Sequence, residues 1–193
     1  MQKTLVILSG LPGTGKTVLA NLVAHRLRIP LLSIDDVVAA IPPQMRRHAD
    51  PFWEDMIRIL LNLVEYQLER GFSVVVDSVF MGEDRYWAYE IADRTEAAFR
   101  PIYTYLSDER IWEERVRQRV ATAPPEIRDK IATWESIQEQ RKHFHPWKPE
   151  SALFVDGVHS IEDSLEKVLR YITTAEMVLE PLWADSRNHS HLR

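Results

Sequence analysis

The sequence contains no cysteine, and this absence excludes several kinds of chemistry at once. A disulfide scaffold, a thiol nucleophile and a thiolate zinc site all require cysteine. Long apolar runs are also missing: the run Leu5–Leu8 is too short for a secretory signal, and none approaches the length of a membrane-spanning helix. We therefore expect a cytoplasmic protein without a membrane partner.

An excess of basic residues is likewise absent, because the formal net charge is −5 with histidine neutral. Proteins that bind duplex nucleic acid usually carry a broad positive surface, so this composition argues against a nucleic-acid partner. A small local basic site remains compatible with the charge. The 193 residues suffice for one domain with its own core. We predict that domain over residues 1–175 and a C-terminal tail over 176–193.

Short apolar segments alternate with amphipathic helical segments along the chain. Five of them favour strands, beginning near Leu5, Leu31, Val74, Pro101 and Ala152. Continuous apolar runs are typical of parallel strands that are covered on both faces. The pattern predicts a three-layer α/β fold with a five-stranded parallel sheet and helices on both sides. One helix is expected over Asp108–Val120 and another over Glu126–His143, within a lid at about residues 120–145.

The segment after the first predicted strand, Gly10 to Thr17, matches the pattern G-x-x-x-x-G-K-[ST] at every fixed position. Glycines let successive backbone N–H groups converge on phosphate oxygens, and the following helix presents its positive end to the same oxygens. The motif predicts a nucleotide-binding site formed by Gly10, Leu11, Pro12, Gly13, Thr14, Gly15, Lys16, Thr17 and Val18.

The same motif predicts the cofactors ATP and Mg²⁺. Lys16 is expected to reach the β- and γ-phosphates, and the hydroxyl of Thr17 is expected to bind the metal ion. The motif alone does not distinguish ATP from GTP. Because no convincing Asn-Lys-x-Asp segment for guanine recognition is present, the sequence favours ATP.

Aspartates follow three of the predicted strands, at the sheet edge where ligands of such folds bind. Asp35 is a candidate base for an attacking hydroxyl, although either Asp35 or Asp36 can instead cap the next helix. Asp77 ends a run of three valines and is a candidate for orienting Mg²⁺, with a simple turn residue as the alternative. Asp156 precedes a glycine and is interpreted as part of a turn, with no chemical role.

Basic residues cluster on the helix expected after Asp108. Arg115 and Arg119 are four apart and share a face, so they form a candidate clamp for phosphates. A solvated face paired with neighbouring glutamates is the alternative. Arg128 and Lys130 are expected on the lid, and Arg46–Arg47 lie where an anionic substrate could dock. The remaining aromatic candidates are interpreted as core or lid packing: Trp53, Trp87, Trp112, Trp134 and Trp147.

Four segments together resemble the phosphate-loop kinase-like ATPases, a group that includes polynucleotide kinase, zeta-toxin-type kinases and chloramphenicol phosphotransferase. They are Gly10–Thr17, Ser33–Asp36, Val74–Asp77 and Glu114–Arg119. The resemblance implies a nucleoside-kinase-like fold with a helical lid and transfer of the ATP γ-phosphoryl group to a hydroxyl. By position it implies that Asp35 is the base and that Arg115 and Arg119 are lid arginines.

Three functional hypotheses follow. The leading one is an ATP-dependent kinase that phosphorylates a hydroxyl of a small molecule, with Lys16, Asp35, Arg115 and Arg119 as catalytic residues. The second is a kinase of nucleic-acid 5′-hydroxyls, but Val38 stands where polynucleotide kinase has an arginine for the substrate phosphate. The third is a nucleotide-gated ATPase without a small-molecule acceptor. The sequence determines neither the acceptor nor the oligomeric state.

Overall fold

The computed structural model describes residues 2–45, 50–128 and 131–174. Within these ranges the strands form one parallel sheet with the order β2-β3-β1-β4-β5. The strands are β1 (Thr4–Ser9), β2 (Leu31–Ser33), β3 (Val74–Asp77), β4 (Ala98–Tyr105) and β5 (Leu153–Asp156). The predicted five-stranded parallel sheet is therefore confirmed.

Helices cover both faces of the sheet, as expected for parallel strands that are buried on both sides. The helices are α1 (Lys16–Leu27), α2 (Ile34–Ala40), α3 (Asp50–Glu69), α4 (Asp84–Arg94), α5 (Glu109–Thr122), α6 (Pro125–Arg128), α7 (Trp134–His143) and α8 (Ile161–Thr173). One face packs against α3, α4, α5 and α7, and the other packs against α1 and α8.

The helix α3 shows how the sequence pattern produces this packing. Its buried side chains recur at helical spacing and form the stripe that faces the sheet: Met56, Ile57, Leu60, Leu61, Val64 and Leu68. Gly71 follows the helix with φ of 84° and donates its N–H to Leu68 O, so the helix ends where the sequence places a glycine cap.

The strand register brings the predicted functional segments to one edge. Asp77 of β3 pairs with Leu8 of β1 on one side and with Ser33 of β2 on the other. Because the strands are parallel, the loop after β1, the end of β3 and the start of α2 meet at the carboxyl edge of the sheet. Ligands of open α/β sheets bind in the crevice at this edge.

The structure corrects the prediction of one helix over Glu126–His143. The chain instead forms α6 and then α7, and Thr133 caps the second helix by accepting a hydrogen bond from Ser136 N at 3.2 Å. A threonine that satisfies the first N–H groups of a helix marks a new start rather than a helix interior. The sequence pattern predicted the helical character of this region but not its division.

Some predictions fall outside the described residues, namely those for Arg46–Arg47, Lys130 and the tail over 176–193. In the part of the chain that the structure describes, none of the helices combines the length and apolar character that crossing a bilayer requires.

Candidate active site

The loop between β1 and α1, which we call the phosphate loop, comprises Gly10 to Gly15. Gly13 and Gly15 adopt φ of 87° and 95°, the left-handed region that glycine enters without steric cost. A Cβ added at Gly15 would meet no atom within 4 Å, so open space lies beside this residue at the start of α1. The loop therefore has the backbone conformation and the free space that a bound phosphate needs.

Two carbonyl oxygens of the phosphate loop are engaged by hydrogen bonds from the protein. Thr14 Oγ1 donates to Leu11 O at 2.8 Å, and Thr14 Oγ1 also lies 2.8 Å from Thr104 Oγ1 of β4. Trp112 of α5 donates from Nε1 to Pro12 O at 2.9 Å. The shape of the loop is therefore held by β4 and α5 as well as by its own sequence.

Lys16 and Asp77 form an ion pair beside the phosphate loop. Lys16 Nζ lies 3.5 Å from Asp77 Oδ1, and the exposed fractions of the two side chains are 12% and 1%. Neither carboxylate oxygen of Asp77 accepts a hydrogen bond from any described residue. Buried carboxylates are normally compensated by donors or cations, so the aspartate is left with capacity for a further partner.

That capacity fits a magnesium ion, which prefers oxygen ligands and is often held by one or two carboxylates together with substrate phosphates. Thr17 in the first turn of α1 is exposed and offers a hydroxyl next to Lys16. The oxygen donors of Thr17 and Asp77 are thus of the kind that magnesium prefers, and the assignment of a metal ion to them stays a prediction.

Asp35 and Asp36 lie in the first turn of α2, and both are exposed. The cap of this helix is Ser33, whose Oγ accepts a hydrogen bond from Asp35 N at 3.2 Å. The hypothesis that one of the two aspartates caps the helix is therefore wrong. Both carboxylates remain available at the mouth of the crevice, where negative charge is also favoured by the helix N-terminus.

One face of α5 lies over this mouth. Trp112, Arg115 and Arg119 follow one another at spacings of three and four residues and share that face. Arg115 Nη1 donates to Gly157 O at 2.9 Å. Arg119 is exposed, but desolvation of its guanidinium by neighbouring groups lowers the pKa, and the charge of the Asp35 carboxylate offsets part of this effect. Of the two arginines predicted as one clamp, Arg115 thus contacts the segment after β5, and Arg119 interacts electrostatically with Asp35 of α2.

A cavity of about 230 Å³ lies beside the phosphate loop, between α1, α5 and α8. Its lining is mostly apolar, with Arg115 and His159 at its polar side. The residues that line it are Thr14, Gly15, Val18, Leu19, Thr104, Arg115, Val155, Gly157, His159, Ile161 and Ser164. A concave, largely apolar cavity with a few polar groups is the usual form of a small-ligand site.

A family model described as "AAA domain" matches residues 5–146, which include the phosphate loop, Asp35, Asp77 and α5. This chain belongs to that AAA-domain family. No curated protein matches the chain. The AAA-domain match ends before β5, so the cavity wall formed by Gly157 and α8 lies beyond the matched residues.

Solved structures of kinases and of one further nucleotide-binding protein share the fold of this AAA-domain chain. APS kinase CysC of Mycobacterium tuberculosis, in complex with AMPPNP and APS, has a TM-score of 0.68 at 18% identity, covering 90% of this chain and 99% of that one. A gluconokinase of Sinorhizobium meliloti 1021 has a TM-score of 0.61 at 17% identity, covering 89% and 91%. Chaetomium thermophilum Kti12, in complex with ADP-AlF3, has a TM-score of 0.66 at 17% identity, covering 88% and 100%. The predicted three-layer fold and the resemblance to phosphate-loop kinase-like ATPases are confirmed.

Asp156, beside the cavity, holds two loops together. Its Oδ1 accepts hydrogen bonds from Ser107 N at 3.2 Å and from Val158 N at 3.1 Å. Burial alone would raise the pKa of Asp156, but these hydrogen bonds hold it below its usual value. The prediction of a turn at Asp156 is confirmed, and the turn joins the segment after β4 to the segment after β5.

Two contributors to the site were not identified from the sequence. The sequence indicates only packing for Trp112 and only a turn for Gly157, because neither belongs to a spacing pattern that indicates a phosphate loop. The general interpretation of the tryptophans as packing residues holds for the buried Trp112 and Trp147 but is wrong for Trp53, which is 49% exposed.

We expect Gly157→Ala to destabilise the protein and weaken nucleotide binding. The added Cβ would lie 2.6 Å from Thr14 O, a backbone atom of the phosphate loop that cannot move aside without moving the loop. Overpacking of this kind costs about 1–3 kcal/mol. Chemical denaturation measures the loss of stability, and titration with ATP measures the loss of affinity. If Gly157→Ala had the same denaturation midpoint and the same ATP affinity as the wild type, the phosphate loop would not pack against Gly157.

Proposed function

We propose that this protein is an ATP-dependent phosphotransferase that transfers the γ-phosphoryl group to a hydroxyl of a small molecule. The observation that carries the proposal is the buried Lys16–Asp77 pair beside the phosphate loop, with both Asp77 oxygens lacking hydrogen-bond donors among the described residues. A bound polyphosphate would give Lys16 an anionic partner, and a divalent cation would compensate the charge of Asp77.

Lys16 has the role of neutralising the β- and γ-phosphates. On nucleotide binding, its ammonium group would exchange part of its attraction to Asp77 for the phosphate oxygens, on which negative charge develops during transfer. A magnesium ion held by Thr17 and Asp77 would share that charge and orient the phosphates when bound. The phosphate loop supplies the backbone N–H groups that hold the polyphosphate in place.

Asp35 has the role of activating the acceptor. The acceptor hydroxyl oxygen forms a bond to the γ-phosphorus, the bond from that phosphorus to the β–γ bridging oxygen breaks, and ADP leaves. The carboxylate of Asp35 takes the hydroxyl proton. Arg119, whose guanidinium interacts electrostatically with Asp35, stabilises charge on the transferring group. Arg115 closes the nucleotide cavity through its hydrogen bond to Gly157 O.

We expect this protein to prefer ATP to GTP as phosphoryl donor. In the cavity beside the phosphate loop, none of the described lining residues is acidic, so no carboxylate is present there to accept the N1–H and N2–H₂ donors of guanine. Because these two donor groups of guanine would be left without acceptors, we expect the affinity for ATP to exceed that for GTP by roughly 10-fold or more. Competition of GTP against labelled ATP measures the preference, and GTP binding equal to ATP binding would contradict the assignment of this cavity to the base.

The nature of the acceptor is supported by the comparisons and by the sequence. APS kinase and a gluconokinase are named for small molecules, and both share the fold. The net charge of −5 and Val38, in place of a substrate-binding arginine, argue against an oligonucleotide. The similarity to Kti12 in complex with ADP-AlF3 favours a second candidate, a nucleotide-dependent ATPase without a small-molecule acceptor.

A screen with γ-labelled ATP tests the proposal. Purified protein is incubated with magnesium and with nucleosides, sugars, sugar acids, antibiotics or oligonucleotides, and the transferred label is separated from free phosphate. We expect label on one class of small hydroxyl compound. Label on oligonucleotides alone would identify a polynucleotide kinase. Release of free phosphate without transfer to any compound would favour the ATPase.

A further inference from the structure

Trp112 connects three parts of the candidate site. It lies on α5, its Nε1 donates to Pro12 O of the phosphate loop at 2.9 Å, and the residue is only 5% exposed. Its ring stands edge-on to Trp134 of α7, with centroids 5.3 Å apart and an interplanar angle of 87°. The phosphate loop, α5 and α7 therefore meet at this side chain.

The hydrogen bond to Pro12 O fixes the orientation of the whole peptide unit between Pro12 and Gly13. The C=O of Pro12 and the N–H of Gly13 belong to one planar trans peptide unit, so they point in opposite directions. A partner that holds the carbonyl on the α5 side thereby directs the N–H to the other side. In a phosphate-binding loop the N–H groups must face the anion, because a carbonyl oxygen turned inward would repel it.

This peptide unit needs a restraint. Gly13 has φ of 87° and lacks a Cβ, so its own backbone permits the peptide to rotate. A Cβ at Gly13 would lie 3.0 Å from Trp112 Nε1 and 2.6 Å from Val116 Cγ2. The helix α5 therefore packs directly on the backbone at this point, and Trp112 supplies the hydrogen bond that sets the direction of the peptide.

We propose that Trp112 is a positioning residue that directs the Gly13 N–H toward the nucleotide phosphates. The inference rests on the proposed function in one respect, namely that the phosphate loop binds a nucleotide polyphosphate. Trp112 acts through the loop and contacts no reacting atom. It follows that removing the indole N–H reduces the affinity for polyphosphates and leaves the affinity for the nucleoside portion unchanged.

The test is Trp112→Phe, which keeps an aromatic ring but removes the N–H donor. We expect the affinities for ATP, ADP and pyrophosphate to fall about tenfold, since an unsatisfied carbonyl beside an anion has a cost of this order. Adenosine affinity and the KM of the acceptor should be unchanged, while the KM of ATP rises. Trp134→Phe is the matched control, because it makes the same substitution at the tryptophan that packs against Trp112. It should leave all these affinities within about twofold of wild type.

The outcomes separate this inference from the proposed function. Wild-type protein that does not bind ATP in calorimetry would refute the proposed function itself. Wild-type protein that binds ATP, with Trp112→Phe binding ATP and pyrophosphate equally well, would overturn the inference alone. Equal losses for adenosine and pyrophosphate would also overturn it, because they would indicate a general loosening of the cavity.

A measurement on the wild type covers the case in which Trp112→Phe does not fold. The indole N–H resonance of Trp112 can be assigned in ¹⁵N-labelled protein through its proximity to the α protons of Gly13. We expect its hydrogen exchange to slow when pyrophosphate binds and to stay constant when adenosine is added. An exchange rate that does not respond to pyrophosphate would show that this hydrogen bond is not coupled to phosphate binding.

Discussion

Replacing Lys16 by alanine is expected to reduce phosphoryl transfer by about 10³-fold or more, since a preorganised charge on the transferring group contributes effects of this size. The lysine also forms an ion pair with the buried carboxylate of Asp77, at 3.5 Å. Its loss therefore removes the group that we propose contacts the phosphates and leaves a buried negative charge without this partner. Steady-state kinetics with ATP, together with calorimetric titration of ATP and magnesium, measure the effect.

Two further variants separate the chemical effect of Lys16→Ala from a loss of folding. Breaking a buried ion pair by removing one partner costs about 3–5 kcal/mol. The double variant Lys16→Ala/Asp77→Asn removes the uncompensated charge and should be more stable than Lys16→Ala while remaining inactive. Lys142→Ala changes an exposed lysine that pairs with Glu139 on α7, and it should retain full activity. Full activity of Lys16→Ala would refute the role of the phosphate loop.

Replacing Asp35 by asparagine should abolish phosphotransfer while sparing ATP binding. The amide has the size of the carboxylate but cannot accept the proton of the attacking hydroxyl, and general bases contribute about 10²–10⁴-fold to the rate. The affinity for ATP should stay within about twofold, because Asp35 belongs to α2 rather than to the phosphate loop. The rate of transfer to the acceptor found in the labelled-ATP screen is the measurement.

Asp36→Asn is a closely matched control for Asp35→Asn. Both residues lie in the first turn of α2, both are exposed, and each substitution removes one negative charge. Of the two, Asp35 is the one whose charge raises the pKa of the Arg119 guanidinium. A loss confined to Asp35→Asn supports proton transfer to this carboxylate. Equal losses in both variants would indicate a general effect of negative charge at the helix N-terminus, and unchanged transfer in Asp35→Asn would refute the assignment.

The parts of this molecule that could be predicted from sequence are those that short-range patterns determine. The runs of apolar residues at Leu5 and Val74 specify buried parallel strands, and the glycine-rich segment after the first specifies the loop that follows. Aspartates that end strands can be placed at one edge of the sheet once parallel pairing is inferred. The sheet and the positions of Asp35 and Asp77 at its edge followed from these features.

The remaining features depend on contacts between residues far apart in the chain. The hydrogen bond from Trp112 to Pro12 joins positions 100 residues apart, and the one from Arg115 to Gly157 spans 42 residues. No spacing rule within a helix indicates which distant backbone atom a side chain will reach. The sequence contains the signal for Ser33 as the cap of α2, because serine before a helix is a strong capping residue. The nearby aspartates are equally good capping residues, so the pattern alone does not identify which one caps the helix.

The spacing of Trp112, Arg115 and Arg119 along α5 is what places their three side chains on one face of the helix. Each residue added to a helix rotates everything beyond it by about 100° and shifts it by about 1.5 Å. A single-residue insertion between Trp112 and Arg119 would keep all of these residues in the sequence. It would nevertheless rotate Arg119 by about 100° relative to Trp112, and so away from Asp35. Under the function proposed above, we expect relatives that keep both the glycine-rich motif and this spacing along α5 to retain phosphotransfer, and relatives with an altered spacing to retain nucleotide binding alone.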